Sequence, residues 1–364
     1  MTSLFAPFTL KGVTLRNRIA ASPMCQYQAQ DGFLNEWHQI HYASLARGGA
    51  GLVVVEATAV APEGRITPGD AGLWSEAHVA GFASVSSAIK AAGAVPGIQL
   101  AHAGRKAGCM RPWEGGAPLD KADPQAWQPV APSAVPFMPG SEYIPREMTL
   151  DDIRQAKQHF VDTARRTREV GFEWLELHFA HGFLGQNFLS KHTNQRQDQY
   201  GGSLENRARF LIETVREVRQ VWPEQYPLTV RLGVIEFDDG QAESLAEAIQ
   251  VLKWLKGAGL DLVDAGLALS TPGEQVPWGP NFMVPYAAQI RQVTGLPVAT
   301  SWMITDARQA DEFVRSGQVD LVFLARTLLA NPHWPYQAAR ELKIERPAEV
   351  LPTPYAFWLQ SWSN

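Results

Sequence analysis

The amino-acid sequence predicts an α/β fold, a single-domain (β/α)8 TIM barrel with a long loop or lid inserted after its third strand. Eight short apolar runs rich in β-branched residues alternate with stretches whose apolar residues recur every three or four positions. Strands that are buried on both faces and joined by helices are typical of parallel sheets. No linker interrupts this alternation, so we expect residues 1–364 to form one domain.

The expected strands are short and apolar enough to lie between two layers of packed side chains. In chain order they span residues 17–24, 51–59, 94–102, 172–179, 227–234, 260–267, 296–302 and 319–325. An open, doubly wound sheet is the main alternative, and it would place a Gly-rich phosphate loop after the first strand. That position carries Pro23, Met24 and Cys25 instead, so the barrel is favoured.

The expected helices have recognisable ends, and the clearest span residues 151–170, 204–222, 244–257 and 306–316. Ser203 follows two glycines and can cap one helix, whereas Ser244 and Glu247 have the spacing of a capping box. Glycines that would end helices in a left-handed conformation are Gly171, Gly259 and Gly295. Residues 105–148 form the one long irregular stretch, rich in Gly, Pro and Trp, and loops of that length are typically lids or binding loops.

Composition excludes several classes of protein. The 32 Lys and Arg residues and 37 Asp and Glu residues give a net charge of −5, a poor match for nucleic acid or an anionic membrane. The 2 cysteines cannot form a disulfide framework, which indicates a reducing compartment. We read no signal peptide and no apolar run of membrane-spanning length, so we expect a cytoplasmic protein without a membrane or nucleic-acid partner.

The catalytic groups of barrel enzymes lie at the C-terminal ends of the strands. The residues expected there are Pro23, Met24, Cys25, Gln26, Tyr27, Ala57, Thr58, Gln99, His102, His178, His181, Arg231, Ser301, Trp302, Ala325 and Arg326. This set holds no pair of carboxylates, so glycoside hydrolysis by paired acids is disfavoured. Lys106 is the single lysine nearby, so Schiff-base chemistry is disfavoured as well.

Amides, arginines and imidazoles suit a planar anionic ligand. Arg231 in an apolar strand needs a partner, which could be a reduced flavin or a carboxylate. Gln99 offers both a donor and an acceptor. Barrels commonly seat a phosphate on backbone N–H groups after strands seven and eight. A phosphate there, with a flat ring across the barrel mouth, describes flavin mononucleotide (FMN).

His178 and His181 follow one strand as a pair, which favours binding of an oxyanion over a metal site or simple packing. A metal site is not expected, because no Asp, Glu or third His is expected at a neighbouring strand end. His38 and His41 repeat the spacing on a helical stretch and are interpreted as structural.

Five segments carry a resemblance to a known family. They are Leu-Arg-Asn-Arg at 15–18, Ser-Pro-Met-Cys-Gln-Tyr at 22–27, Leu-Ala-His-Ala-Gly-Arg-Lys at 100–106, His-Phe-Ala-His-Gly-Phe-Leu at 178–184, and Asn-x-Arg-x-Asp-x-Tyr-Gly-Gly-Ser-x-Glu-Asn-Arg at 194–207. The sequence resembles the Old Yellow Enzyme family along essentially its whole length. The Cys25 and Tyr27 pair and the C-terminal Pro-Tyr-Ala-x-Trp at 354–358 resemble most closely the xenobiotic reductase A branch.

The resemblance implies a (β/α)8 barrel with non-covalent FMN and with NADPH, or NADH, as hydride donor. Residues implied in cofactor binding are Pro23, Met24, Cys25, Ala57, Gln99, Arg231, Ser301, Trp302, Ala325 and Arg326. A homodimer or homotetramer is expected, with the tail at 350–364 near the active site or a subunit interface.

The resemblance also implies catalytic residues, namely Cys25, Tyr27, His178, His181 and the position of Phe183. His178 and His181 would bind the substrate oxygen, and Tyr27, His178, His181, Phe183, Trp302 and Trp358 would line the substrate pocket. Three departures stand out: Phe183 replaces the family's proton-donating Tyr, Ala325 replaces a Gly at the phosphate, and the segment after Trp302 lacks a Gly.

The expected function is therefore hydride transfer from NADPH through FMN to activated C=C bonds of unsaturated carbonyls, maleimides and nitroalkenes. Because Phe183 cannot donate a proton, we expect the protonation step to be weakened. Two alternatives stay open: a nitro, quinone or xenobiotic reductase on the same scaffold, and a flavin-binding redox sensor. All of these functions act on, or respond to, small molecules.

Overall fold

The computed structural model describes residues 3–362 and contains a closed barrel of eight parallel strands. The strands of the chain are β1 (Phe8–Leu10), β2 (Val13–Leu15), β3 (Ile19–Ala21), β4 (Leu52–Ala59), β5 (Val95–Ala101), β6 (Val130–Ala131), β7 (Arg146–Glu147), β8 (Trp174–Phe179), β9 (Leu228–Ile235), β10 (Leu262–Leu267), β11 (Val298–Thr300) and β12 (Leu321–Leu324). The barrel closes in the order β3, β4, β5, β8, β9, β10, β11, β12 and back to β3. Each barrel strand falls within, or within one residue of, an expected segment, so the predicted fold is confirmed.

Helices cover the outside of the barrel. They are α1 (Glu36–Arg47), α2 (Val79–Ala91), α3 (Leu150–Glu169), α4 (Leu184–Leu189), α5 (Leu204–Val221), α6 (Gln241–Gly257), α7 (Val284–Thr294), α8 (Ala307–Arg315), α9 (Arg326–Ala330), α10 (Trp334–Glu341) and α11 (Thr353–Leu359). No helix of residues 3–362 is both long and apolar enough to cross a membrane.

The predicted helix ends are confirmed except at α6. The Ser203 side chain accepts the Asn206 N–H and caps α5, as expected. The capping box at Ser244 is wrong, because α6 begins three residues earlier at Gln241. Ser244 therefore lies inside the first turn, where its hydroxyl donates to the Gln241 carbonyl and accepts the Glu236 N–H.

The two ends of the barrel differ in polarity. The N-terminal end is closed by the β1–β2 hairpin, whose Phe8, Val13 and Leu15 pack with inward residues such as Trp174 and Phe323 in one apolar cluster. A larger apolar layer lies between the strands and the surrounding helices. Polar groups are therefore concentrated at the C-terminal end, which is where barrel enzymes carry their sites.

The long segment between β5 and α3 lies over the C-terminal end, in the place expected for the lid. It contains β6 and β7, which pair in parallel. The Arg105 guanidinium fastens it by donating to the carbonyls of Val135 and Pro136 and, across the mouth, of Ser270.

Candidate active site

The C-terminal ends of the barrel strands enclose a cavity of about 710 Å³. The predicted site residues that line it are Pro23, His181, Arg231, Ser301, Trp302, Ala325 and Arg326. Lining residues that the sequence analysis missed include Ser22, Met303, Thr305, Asn331 and Gln337. The cavity therefore brings together groups from β3, β9, β11 and β12 that are distant in the sequence.

Arg231 supplies a buried cation at the wall of this cavity. It lies in β9 with 5% of its surface exposed, and it donates to the hydroxyls of Ser301 at 2.8 Å and Ser22 at 3.3 Å. Its Nε lies 3.2 Å from Oδ2 of Asp264, which is fully buried in β10. The Asp264 carboxylate thus pairs with one edge of the guanidinium, and Arg231 also borders the cavity. Arg231 can therefore have both of the partners that the sequence left open, a carboxylate and a ligand in the cavity.

A second carboxyl group, that of Glu176, lies near Arg231. Glu176 in β8 accepts a hydrogen bond from the Gln99 amide at 2.7 Å and is fully buried. Burial raises the pKa of Glu176, and the neighbouring Asp264 raises it further. Both carboxyl groups lie midway along their strands, Glu176 in β8 and Asp264 in β10, and neither lines the 710 Å³ cavity, so the expectation that the strand ends lack a carboxylate pair stays a prediction.

His178 and His181 form a pair of neutral imidazoles, with ring centroids 4.9 Å apart and planes nearly perpendicular. Burial lowers the pKa of both well below the usual value, and the charges of Arg231 and Lys106 lower it further. Nδ1 of His178 accepts the Ala180 N–H, so the proton of its neutral ring lies on Nε2. Nε2 of His181 is buried without a partner. The pair can therefore donate to a substrate oxygen.

Aromatic rings surround these imidazoles. The Phe183 ring lies edge-on to His178 at 4.9 Å and to His181 at 6.4 Å. The Trp302 ring lies 5.6 Å from His181, and Trp278 packs on its far side. Phe183 and Trp302 therefore occupy the positions expected of substrate-pocket walls.

Cys25 and Tyr27 lie on the loop that follows β3. Burial raises the pKa of the Cys25 thiol, the charges of Asp70 and Glu56 raise it further, and the nearby Tyr27 hydroxyl and Ala57 N–H lower it. The pKa of Tyr27 is raised by burial and then by Cys25. Both groups therefore keep their protons near neutral pH, which suits a tuning or donating role better than nucleophilic attack.

A second cavity of about 450 Å³ lies under the lid and is bordered by Tyr27, Phe183 and Lys106. The Lys106 ammonium donates to the carbonyls of His181 at 2.7 Å and Leu269 at 2.9 Å. Burial lowers the pKa of Lys106 to about 7. Lys106 thus joins two loops of the mouth and places a positive charge near the imidazoles.

The mouth contains a concentration of unfavourable backbone conformations. Residues other than glycine with positive φ at the strand ends are Tyr27 (54°), His181 (57°), Leu269 (48°), Trp302 (78°) and Met303 (58°). Left-handed backbone costs such residues roughly 1–2 kcal/mol each. Strain of this kind persists where the surrounding structure enforces it, typically at functional sites.

Some predicted site residues do not reach the cavities. Met24, Cys25, Ala57, Gln99 and His178 lie near the C-terminal ends of β3, β4, β5 and β8 but line neither cavity. Trp358 is 74% exposed on α11 and contacts Phe357. In the single chain it therefore reaches neither cavity, and its assignment to the substrate pocket stays a prediction.

Metal ligation was not expected at the imidazole pair. Within residues 3–362, the group whose ligand atoms could converge on one ion is His192, Glu236 and Asp238. That group includes neither His178 nor His181.

The closed barrel, the cation beside its cavity and the neutral imidazole pair define the class as a barrel oxidoreductase of the flavin-binding type. The sequence model of the NADH:flavin oxidoreductase / NADH oxidase family matches residues 3–345. The chain belongs to this family, that of the Old Yellow Enzymes.

Curated relatives carry the name NADPH dehydrogenase. The protein of Geobacillus sp. (strain WCH70) is 43% identical over 343 residues, which cover 94% of this chain and 95% of that protein. The protein of Bacillus subtilis (strain 168) is 41% identical over 349 residues, covering 95% of this chain and 97% of that one. These relatives support an enzyme, an NADPH:FMN oxidoreductase, over a redox sensor.

Solved structures show the same architecture. Morphinone reductase superposes with a TM-score of 0.79 at 28% identity, covering 93% of this chain and 90% of that chain. The Old Yellow Enzyme homologue from Zymomonas mobilis superposes with a TM-score of 0.76 at 25% identity, covering 93% of each chain.

FMN is the cofactor and NADPH the hydride donor of this family, and the residues present fit the flavin. Nε2 of His181 and Nε1 of Trp302 are buried polar atoms without a hydrogen-bond partner, and both residues border the 710 Å³ cavity. Leaving such groups unpaired is costly, so a polar ligand is expected there. Arg326 adds a second cation to the lining.

Proposed function

We propose that this enzyme passes hydride from NADPH to activated C=C bonds of unsaturated carbonyls, maleimides and nitroalkenes. FMN, when bound, supplies the hydride-carrying chemistry between the two reactants. The observation that carries the proposal is the neutral imidazole pair, with the Nε2–H of His178 free to donate. A polarised alkene needs a donor at the oxygen where negative charge develops, and this pair offers one.

We assign the remaining residues by their places around the mouth. Arg231, Ser301, Trp302, Ala325 and Arg326 hold the cofactor with Pro23, Met24, Cys25, Ala57 and Gln99. The Arg231 guanidinium stabilises negative charge on the ring, because an opposite charge in a buried site is strongly favoured. Trp302 and Phe183 form walls of the substrate pocket, and Tyr27 borders it from the lid side.

The weak step is protonation of the substrate carbon. Phe183 lies against both imidazoles but has no proton to give. Tyr27 borders the same lid cavity and keeps its proton, so it can serve through a water molecule. We infer that acceptors whose reduced anions are stable turn over faster than simple cyclic enones.

Phe183 also favours a second candidate function, reduction of nitro compounds, quinones and other xenobiotics. These acceptors need no proton at carbon, so Phe183 does not impair their reduction. The resemblance to the xenobiotic reductase A branch agrees with this candidate.

Stopped-flow spectroscopy with Phe183→Tyr separates the two candidates. Flavin reduced anaerobically with NADPH is mixed with cyclohexenone or with a quinone, and reoxidation is followed by absorbance. A positioned acid contributes ~10²–10⁴-fold to proton transfer, so Phe183→Tyr should speed the cyclohexenone reaction and leave the quinone and NADPH reactions unchanged.

Phe137→Tyr is the matched control, because Phe137 borders the same lid cavity without facing the imidazoles. A gain in Phe137→Tyr as well would mean that any added hydroxyl suffices. No gain in Phe183→Tyr would favour the nitro and quinone reductase.

We further propose a cytoplasmic homodimer or homotetramer that forms one domain per chain. The support is the exposed aromatic surface of α11 and its flank, with Phe357 59%, Trp358 74% and Trp362 49% exposed. Contiguous apolar groups of this kind typically mark protein interfaces. Sedimentation of the wild type beside Trp358→Ser tests whether this surface joins subunits.

A further inference from the structure

Strand β4 is irregular at one residue near the mouth. Val55 pairs with Ile98 and Ala57 with Gln99, which leaves Glu56 as an extra residue between consecutive partners. A bulge of this kind redirects the side chain of the extra residue, and bulges are frequent beside active sites. The bulge in β4 therefore determines the direction in which the Glu56 side chain points.

The Glu56 side chain links helix α1 to the loop that follows β3. Glu56 is fully buried, and its Oε1 accepts the Tyr42 hydroxyl of α1 at 2.8 Å. The same hydroxyl accepts the Glu56 N–H at 2.9 Å, which locks the residue onto α1. On its other side, Oε2 accepts the backbone N–H of Gln26 at 2.8 Å. Burial raises the pKa of Glu56 to about 8, so the carboxyl group is close to neutral, and its two hydrogen bonds hold because breaking them would leave buried groups unpaired.

The loop gripped in this way carries the thiol and the phenol of the site. Gln26 lies between Cys25 and Tyr27, and Tyr27 has a φ of 54°, which a bulky side chain adopts only under constraint. Arg111 restrains the far side of the loop by donating to the Tyr27 carbonyl at 3.0 Å. The N–H of Ala57, the residue after the bulge, lies near the Cys25 sulfur and lowers the pKa of this thiol.

We propose that Glu56 is a positioning residue, whose carboxylate, aimed by the bulge in β4, holds the loop so that Cys25 and Tyr27 keep their places at the barrel mouth. Glu56 lines neither cavity and contacts the Gln26 N–H, the Tyr42 hydroxyl and Nε2 of His38, which lies 3.7 Å from its Oε1. The inference rests on the proposed function, because that proposal gives Cys25 and Tyr27 their roles.

Alkylation of Cys25 by iodoacetamide measures the hold on the loop without any need for flavin. The background is Cys109→Ser, so that Cys25 is the remaining thiol of the 2 in the chain. Leaving the Gln26 N–H and the Tyr42 hydroxyl without their acceptor corresponds to roughly 10–100-fold in an equilibrium, so Glu56→Leu should speed alkylation by about 10-fold or more. Glu56→Gln should restore nearly the wild-type rate, because its amide oxygen can accept from Gln26 while its NH2 faces Tyr42.

Glu213→Leu is the matched control, since Glu213 also accepts a tyrosine hydroxyl, that of Tyr200 at 2.8 Å, but lies on α5. Unchanged alkylation in Glu56→Leu, or an equal rise in Glu213→Leu, overturns the inference. If Glu56→Leu does not fold, Tyr42→Phe removes the anchor on α1 and should speed alkylation by about 3-fold, and no change there overturns the inference equally.

The reduction potential of bound FMN separates this inference from the proposed function. Faster alkylation with a shifted potential in Glu56→Leu alone supports both. Faster alkylation with an unchanged potential and unchanged turnover supports the positioning of the loop and contradicts the roles of Cys25 and Tyr27.

Discussion

Replacing Arg231 by Met should destabilise the protein mainly through the carboxylate left behind. Nε of Arg231 lies 3.2 Å from the fully buried Asp264 carboxylate. Two unit charges at that separation attract by ~5 kcal/mol at an effective dielectric constant of about 20. Removing one member of a buried pair typically costs ~3–5 kcal/mol, because the other charge stays buried and unpaired.

The loss of folding stability in Arg231→Met should grow as the pH rises. Burial raises the pKa of Asp264, and Arg231 is the group that opposes this rise. Without Arg231 the folded pKa rises further, whereas the unfolded value stays near 4. A carboxyl with a raised folded pKa contributes full stability below its unfolded pKa and loses it as pH rises through the folded pKa. The deficit of Arg231→Met should therefore be larger at pH 8 than at pH 5.

Thermal unfolding of the flavin-free protein measures this directly. A chain of 364 residues has an unfolding entropy of roughly 0.8 kcal/mol/K, so 3–5 kcal/mol corresponds to a fall in Tm of about 4–7 °C. The double variant Arg231→Met with Asp264→Asn should recover most of this fall, since position 264 then carries no unpaired charge. An unchanged Tm in the single variant, or a double variant as unstable as the single, would refute the reasoning.

Three further predictions concern the mouth. His178→Ala should weaken binding of a phenol ligand by about 10-fold or more while leaving flavin reduction by NADPH nearly unchanged, as followed by flavin absorbance; equal losses in both would contradict a substrate-specific role. Lys106→Met should raise the pKa of His178 and His181, because its positive charge lowers both; NMR titration of the imidazoles checks the direction, and a fall would count against it. Met303→Gly should raise Tm by about 1 °C and tighten FMN binding, since glycine adopts its φ of 58° without strain; a lower Tm would mean that the side chain stabilises the turn.

The sequence predicted the parts of this protein that depend on periodicity. All eight barrel strands were expected within a few residues, because strands buried on both faces appear as continuous apolar runs. The same property hid Glu56, Glu176 and Asp264, since a lone carboxylate in an apolar run carries no sign of the partner that satisfies it. Their roles depend on contacts between residues far apart in the chain, such as Arg231 with Asp264.

The candidate site was predicted as a set of positions rather than as an arrangement. Arg231, His181 and Ser301 were expected at strand ends and do line the cavity. Trp358 was expected in the substrate pocket and is exposed in the single chain, and a sequence cannot show toward which surface or which subunit a terminal helix turns its aromatic side chains. Ser244 and Glu247 have the spacing of a capping box, but α6 begins three residues before Ser244, at Gln241.

The left-handed residues of the mouth have a consequence for inactivation by heat. Five such positions at roughly 1 kcal/mol each store about 5 kcal/mol, comparable with the whole net stability of many domains. That strain is held in loops, whereas the stabilising apolar layers lie in the strands and helices below them. On warming, these loops should unfold first, because their unfolding relieves the backbone strain and exposes little apolar surface. The arrangement of the active-site residues should therefore be lost at a temperature at which the barrel is still folded. A few turns at the C-terminal end of the barrel will then set the temperature limit of the enzyme.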